Sequence, residues 1–263
     1  MANYYNATEA TLNFQASVDS KVSKPLLKFC LLSILGGAFI AFGGLLSVMV
    51  SGGMAGIGVL NPGLVKLMAG ALFPVGLIMV SLAGVDLFTS DCAAFTMSRC
   101  SRIISTKTLL KYLILSYLFN FIGTQIVAFM LTYQVGLLQG SPWQEYLFAY
   151  AEGKVNQEFS TVLLKGIGAN WLVCMGMFLG YSAKDVVGKC VGIWIPVMLF
   201  VTLGYEHSIA NMFFIPTAIY IGADINWADF LINNLLPATI GNFVGGAALV
   251  GLTFWYLYID KTK

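Results

Sequence analysis

Apolar runs with almost no charged side chains recur along the whole of this chain, and they leave it very few folds. The first covers residues 26–50 and holds one charge, Lys28. Residues 67–85, 112–139, 159–183, 190–223 and 230–259 follow, interrupted by charge only at Lys165 and at Glu206-His207. A helix needs about 20 apolar residues to cross a bilayer. Inside hydrocarbon, every backbone N–H and C=O must find a partner within the protein, so each run is expected to be a transmembrane helix. Charged residues make up only 10% of the chain, against about 25% in a soluble domain. The expected fold is therefore an all-α membrane protein with six spans.

Several function classes drop out early. A net charge of +2 without a basic stripe offers nothing to a nucleic acid. The polar start, MANYYNATEATLNFQASVDSKVSK, lacks a signal peptide's apolar core and is expected to be retained. Residues 1–25 read as an arm, either a short amphipathic helix over residues 8–22 or a solvated segment. Residues 26–259 form the transmembrane domain and 260–263 a tail. Five scattered cysteines, with no C-x-x-C and no histidine at zinc spacing, read as free thiols, so no metal and no cofactor are expected.

Charge placement orients the chain. Six spans put both termini on one side. The loops sharing that side carry Lys21, Lys24, Arg99, Arg102, Lys107, Lys111, Lys184, Lys189, Lys261 and Lys263, with Lys28 just inside the first span. Only Lys66, Lys154 and Lys165 remain for the other side or the membrane. The positive-inside rule makes both termini cytoplasmic. The glycine-rich stretch SGGMAGIGVLNPG reads as a turn, and residues 140–158 as an acidic loop.

Two spans are interrupted. The second stops at Asp86-Leu87-Phe88-Thr89-Ser90-Asp91 and resumes for only a few residues. The fifth is split at Gly204-Tyr205-Glu206-His207-Ser208, which holds the one histidine of the chain. The halves also match: Pro74 and Pro196 are 122 positions apart, as are Asn120 and Asn242 in Asn-Phe-Ile/Val-Gly. Three spans per half make the second half inverted, and paired broken helices at matching positions mark a transport site near the midplane. The expected architecture is two inverted three-helix repeats with the second and fifth helices broken.

Ionisable groups at such a break mark function by default. His207 can donate one hydrogen bond to a permeating anion and accept one from a neighbour. Glu206 either orients the ring and loop or satisfies orphan amides. Lys165 either snorkels to the surface or faces inward, where at ~8 Å and an effective dielectric of ~20 it would attract an anion by ~2 kcal/mol. Thr89 and Ser90 bring hydroxyls to the first break or cap its half-helix. Leu77, Leu87, Phe88, Phe73 and Phe200 are apolar side chains near the breaks, fit for constrictions or for plain core.

Leu87-Phe88-Thr89-Ser90, Lys165 with Asn170-Trp171-Leu172-Val173-Cys174, Glu206-His207-Ser208-Ile209-Ala210-Asn211-Met212 and Gly241-Asn242 together resemble the formate/nitrite transporter family over nearly the whole chain. The resemblance implies a homopentamer of six-span, aquaporin-like protomers in the inner (plasma) membrane, with one pore per protomer. It further implies a central anion or proton site of His207 and Thr89 supported by Glu206 and Asn242, with Ser90 and Asn170 nearby. Lys165 would attract the anion, Phe73 and Phe200 would form the outer constriction, and Leu77, Leu87 and Phe88 the inner one. Formate is the first expected substrate, with hydrosulfide or nitrite next and proton linkage through His207. Asp91 departs from the family pattern and is expected to cap the half-helix. The competing readings are an aquaporin-type channel for neutral solutes, whose paired Asn-Pro-Ala breaks are missing, and a membrane enzyme, for which one histidine leaves little machinery.

Overall fold

The computed structural model describes residues 3–260 and is helical throughout. The tail lysines Lys261 and Lys263, counted above for orientation, lie outside the described residues. Helix α1 is Ala7–Val22, followed by α2, Leu26–Gly52. Next come α3 (Pro62–Ala83) and α4 (Phe88–Cys100), then α5 (Thr106–Tyr133) and α6 (Trp143–Val155). The second half holds α7 (Phe159–Ser182), α8 (Val186–Thr202), α9 (Ser208–Ile221) and α10 (Asp229–Ile259).

Among the described residues, five helices, α2, α3, α5, α7 and α10, are long and apolar enough to cross a membrane, while α8 and α9 are shorter apolar helices. The protein is thus a multi-pass all-α membrane protein. The fifth apolar run of the sequence does not make one long helix; it divides into α8 and α9 around residues 203–207. Pairs α2–α5 and α7–α10 make the most extensive helix contacts, with α8 against α7 close behind. Without a hydrophobic force between helices in lipid, close approach depends on small residues. A Cβ on Gly166 would lie 2.9 Å from the Ala238 carbonyl oxygen, so α7 and α10 touch backbone to backbone there. The far faces carry Leu110, Ile114 and Leu118 of α5 and Leu164 and Trp171 of α7, all exposed on the isolated chain.

Local chemistry corrects two expectations. The glycine-rich stretch before α3 is not all turn: residues Ala55–Leu60 are helical, and α3 starts at Pro62, before the apolar run at 67. Proline suits a first helical position because its missing N–H would be unpaired there anyway. Asn61 completes that start by accepting from Leu64 N–H at 3.1 Å. Residues 140–158 are not a plain loop either, since most of them form α6, an amphipathic cross-piece with one buried face. In α6, Leu147, Ala151 and Val155 face the core. At the beginning of the chain α1 is a capped helix, with Asn6 and Glu9 exchanging side-chain bonds to backbone N–H groups.

Candidate pore site

Both breaks are built alike. Helix α3 ends at Gly84 with φ +64°, and α8 is followed by Gly204 with φ +70°, conformations that cost a side-chain-bearing residue energy. The chain then runs extended, through Leu87 at the start of α4 and His207 at the start of α9. Asn120 on α5 holds the first turn: its Oδ1 accepts from Phe88 N–H at 2.9 Å, and its Nδ2 donates to Ser33 O at 2.6 Å and Asp86 O at 3.0 Å. Asn242 on α10 holds the second: Oδ1 accepts from Ser208 N–H at 2.7 Å, and Nδ2 donates to Gly166 O and Glu206 O at 2.8 Å each. These bonds satisfy backbone groups that a broken helix would otherwise leave orphaned in the membrane.

The two breaks meet at His207 and Thr89. The ring Nε2 lies 3.0 Å from Thr89 Oγ1, and Nδ1 accepts from the Ala210 backbone N–H at 3.1 Å. A backbone N–H can only donate, so Nδ1 is an acceptor and the neutral ring carries its proton on Nε2. That proton faces the threonine hydroxyl. Doubly protonating the ring would require Nδ1 to release Ala210. Asn170 Nδ2 ties the site together from α7, donating to Thr89 O at 3.0 Å and Asn242 O at 2.6 Å.

Glu206 does not orient the histidine ring through its carboxylate. Oε2 accepts from Lys154 Nζ at 2.9 Å, Asn211 Nδ2 at 2.6 Å and Asn234 Nδ2 at 3.2 Å, and Oε1 from Gln157 Nε2 at 3.3 Å. It reaches His207 only through the backbone that Asn242 grips. Lys165 donates to Gln157 Oε1 at 2.5 Å, one residue removed from Glu206. The cation that lines the small cavity beside His207 is instead Lys154, on α6. Burial works against its ammonium, but the neighbouring Glu206 carboxylate outweighs this and holds its pKa above the ordinary lysine value. Sequence reading gave no site role to Lys154, Gln157, Asn234 or Asn211, the last quoted only as part of the motif, because α6 read as loop and a buried partner leaves no local signal.

The first break is different in charge. Lys21 of α1 pairs with Asp91 and lies 3.2 Å from Asp86. Asp91 sits in the first turn of α4 but makes no capping bond; its carboxylate turns to Lys21. Ser90 Oγ donates to Leu87 O at 3.0 Å and lines a cavity of about 80 Å³ with Lys21, Lys24, Asp86 and Tyr181.

Apolar side chains flank the His207–Thr89 contact. Phe200 stacks on the His207 ring at 5.8 Å between centroids, and Phe73 meets Phe200 edge-on at 5.8 Å. Both phenylalanines line the cavity beside His207, which at about 10 Å³ scarcely holds one water. Leu77, Leu87 and Phe88 are buried in the same apolar cluster. The five cysteines are free, and no group of three or more His, Cys, Asp or Glu side chains could hold a metal among the described residues.

Known proteins resemble this arrangement in sequence and fold. The sequence profile of a family described as formate/nitrite transporter matches residues 8–256. A probable formate transporter of Methanothermobacter thermautotrophicus is 41% identical, with 94% of each chain covered. The formate channel BtFdhC of Bacillus thuringiensis is 39% identical over 95% of this chain and 93% of its own. Among solved structures, a pentameric formate channel with formate bound is 29% identical with a TM-score of 0.77, covering 89% of this chain and 98% of that one. An FNT family ion channel is 26% identical with a TM-score of 0.81, covering 95% and 96%.

Proposed function

The chain belongs to the formate/nitrite transporter family, and from that premise we propose that it conducts small monovalent anions of weak acids, formate first, with hydrosulfide and nitrite next. Each protomer of a homopentamer carries its own pore through an inner (plasma) membrane. Residues 26–259 make six spans in two inverted three-helix repeats, α3–α4 and α8–α9 being the broken second and fifth. The arm of residues 1–25 and the tail of residues 260–263 lie on the cytoplasmic side. Support for the repeat comes from the matched clamps of Asn120 and Asn242 and from spacing: Lys21 and Lys154 are 133 positions apart, as are Ser33 and Gly166.

One observation carries the reading: His207 and Thr89, each at the start of a half-helix, touch at 3.0 Å in a buried site. Helix N-termini favour negative charge and offer free N–H groups. A dry apolar passage penalises a bare anion heavily, so donors must replace its lost water. The Nε2–H of His207 and the hydroxyl of Thr89 can each donate to an oxygen of formate as it displaces their mutual bond. Glu206, Asn242, Asn170 and Ser90 keep the two turns in place. Lys154 and Lys165 attract the anion from the outer side, Phe73 and Phe200 form the outer constriction, and Leu77, Leu87 and Phe88 form the inner one. With Nδ1 engaged by Ala210, His207 serves as a hydrogen-bond donor, and giving up a proton requires that cap to open.

Replacing His207 with Phe removes the donor while keeping an aromatic ring. A hydrogen bond to a charged group is worth about 1.5–3 kcal/mol, so formate flux into proteoliposomes should fall about ten- to a hundredfold. Unchanged flux would sink the central role of His207. Osmotic swelling in glycerol, equal to that in formate, would favour a neutral-solute channel instead.

A further inference from the structure

The two breaks match in position but not in charge. Glu206 and Asn211 in the second break correspond at 120 positions to Asp86 and Asp91 in the first. In the second, Asn211 donates its amide to Glu206 at 2.6 Å, Asn234 donates as well, and Lys154 balances the one negative charge. In the first, the place of the donating amide is taken by a second carboxylate, and one ammonium, Lys21, faces both. Asp86 and Asp91 are 1% and 0% exposed. Asp86 accepts no hydrogen bond beyond the Lys21 ion pair and Asp91 Oδ2 accepts none; Ser116 is close enough to act on Asp91, but its hydroxyl donates to Leu113 O at 3.2 Å. A buried carboxylate without donor or counter-charge is costly.

The groups around the pair do not remedy this. Lys24 lines the adjoining cavity without an ion pair to either carboxylate among the described residues. Tyr181 lines the same cavity under Lys189, whose Nζ is 5.9 Å from its ring. Cys92 on α4 and Cys174 on α7 are free and buried. Lys21 stays charged, since Asp91 and then Asp86 outweigh burial and raise its pKa. A proton held by the two carboxylates would balance the charge. A protonated Asp91 has the shape and the donor of the asparagine found at the matching position.

We propose that Asp86 and Asp91 hold one exchangeable proton between them beside Lys21, and that its loss leaves a net negative charge at the α1 end of the pore that slows anion passage from that side. The cavity of about 80 Å³ next to Asp86 has room for the water that would bring and remove the proton. The proton site stands on the geometry alone, while its effect on flux rests on the anion-channel reading above.

Two measurements on the lipid-reconstituted full chain test this separately. Infrared pH-difference spectra should show a protonated-carboxyl C=O band that bleaches as pH rises, and Asp91→Asn and Asp86→Asn should each remove it. Absence of the band from about pH 5 to about pH 9, or its survival in both variants, overturns the proton site. For flux, labelled formate exchange is compared between Asp91→Asn and wild type at each pH, which cancels formate's own titration. The ratio should be near one at low pH and rise several-fold at high pH, because the amide keeps the neutral form. A ratio independent of pH overturns the effect on passage. Failure of the wild type to exchange formate at any pH would instead refute the anion-channel reading and leave the infrared result standing.

Discussion

Among individual residues, Lys154 and Glu206 test how strongly the second break is held. Removing one partner of a buried ion pair leaves the other uncompensated and costs about 3–5 kcal/mol, whereas replacing both costs much less. Lys154→Met should therefore lower the thermal midpoint more than Lys154→Met combined with Glu206→Gln, measured by melting in detergent. The pH dependence has a definite sign. The folded pKa of Lys154 is raised, so its contribution is complete below the ordinary lysine value and is lost as pH climbs through the raised one. The melting gap between wild type and Lys154→Met should stay constant from about pH 7 to about pH 10 and close only beyond. Thr89, His207, Asn170 and Asn242 were nameable from sequence, and the fold brings these four into one hydrogen-bonded group. Lys154 was not, because a lysine in an amphipathic cross-piece and a lysine in a solvated loop look the same in a string of letters.

At the level of elements, the breaks depend on two glycines that turn the chain in the left-handed region. Gly204→Ala imposes a backbone cost of about 1–2 kcal/mol with open space around the new methyl, so strain rather than collision is the expected penalty. A melting point lowered by a few degrees, with formate flux reduced through displacement of His207, is the outcome to look for. An unchanged melting point would show that α8 and α9 do not need that turn. Interruption of the second and fifth apolar runs was legible because charged residues in a membrane run cannot stay in a plain lipid-facing helix. The start of α3 and the whole of α6 were missed for the opposite reason: caps, a Pro at the first helical position and a half-buried face outweighed the loop-like composition.

For the whole molecule, the exposed apolar faces of α5 and α7 must be covered by lipid or by other copies of the chain. Native mass spectrometry from detergent micelles should give five copies of the 28.4 kDa chain. A monomer carrying full formate flux would overturn the assembly proposed here. The membrane class, the helical fold and the family were decided by composition and motif, because apolar length and the rule that no backbone group stays unpaired in lipid act on every residue locally. Tertiary structure alone decided which charges neutralise one another. Lys21 meets Asp91 across 70 positions and Lys154 meets Glu206 across 52, and pairings at such distances depend on helix packing that no local pattern encodes.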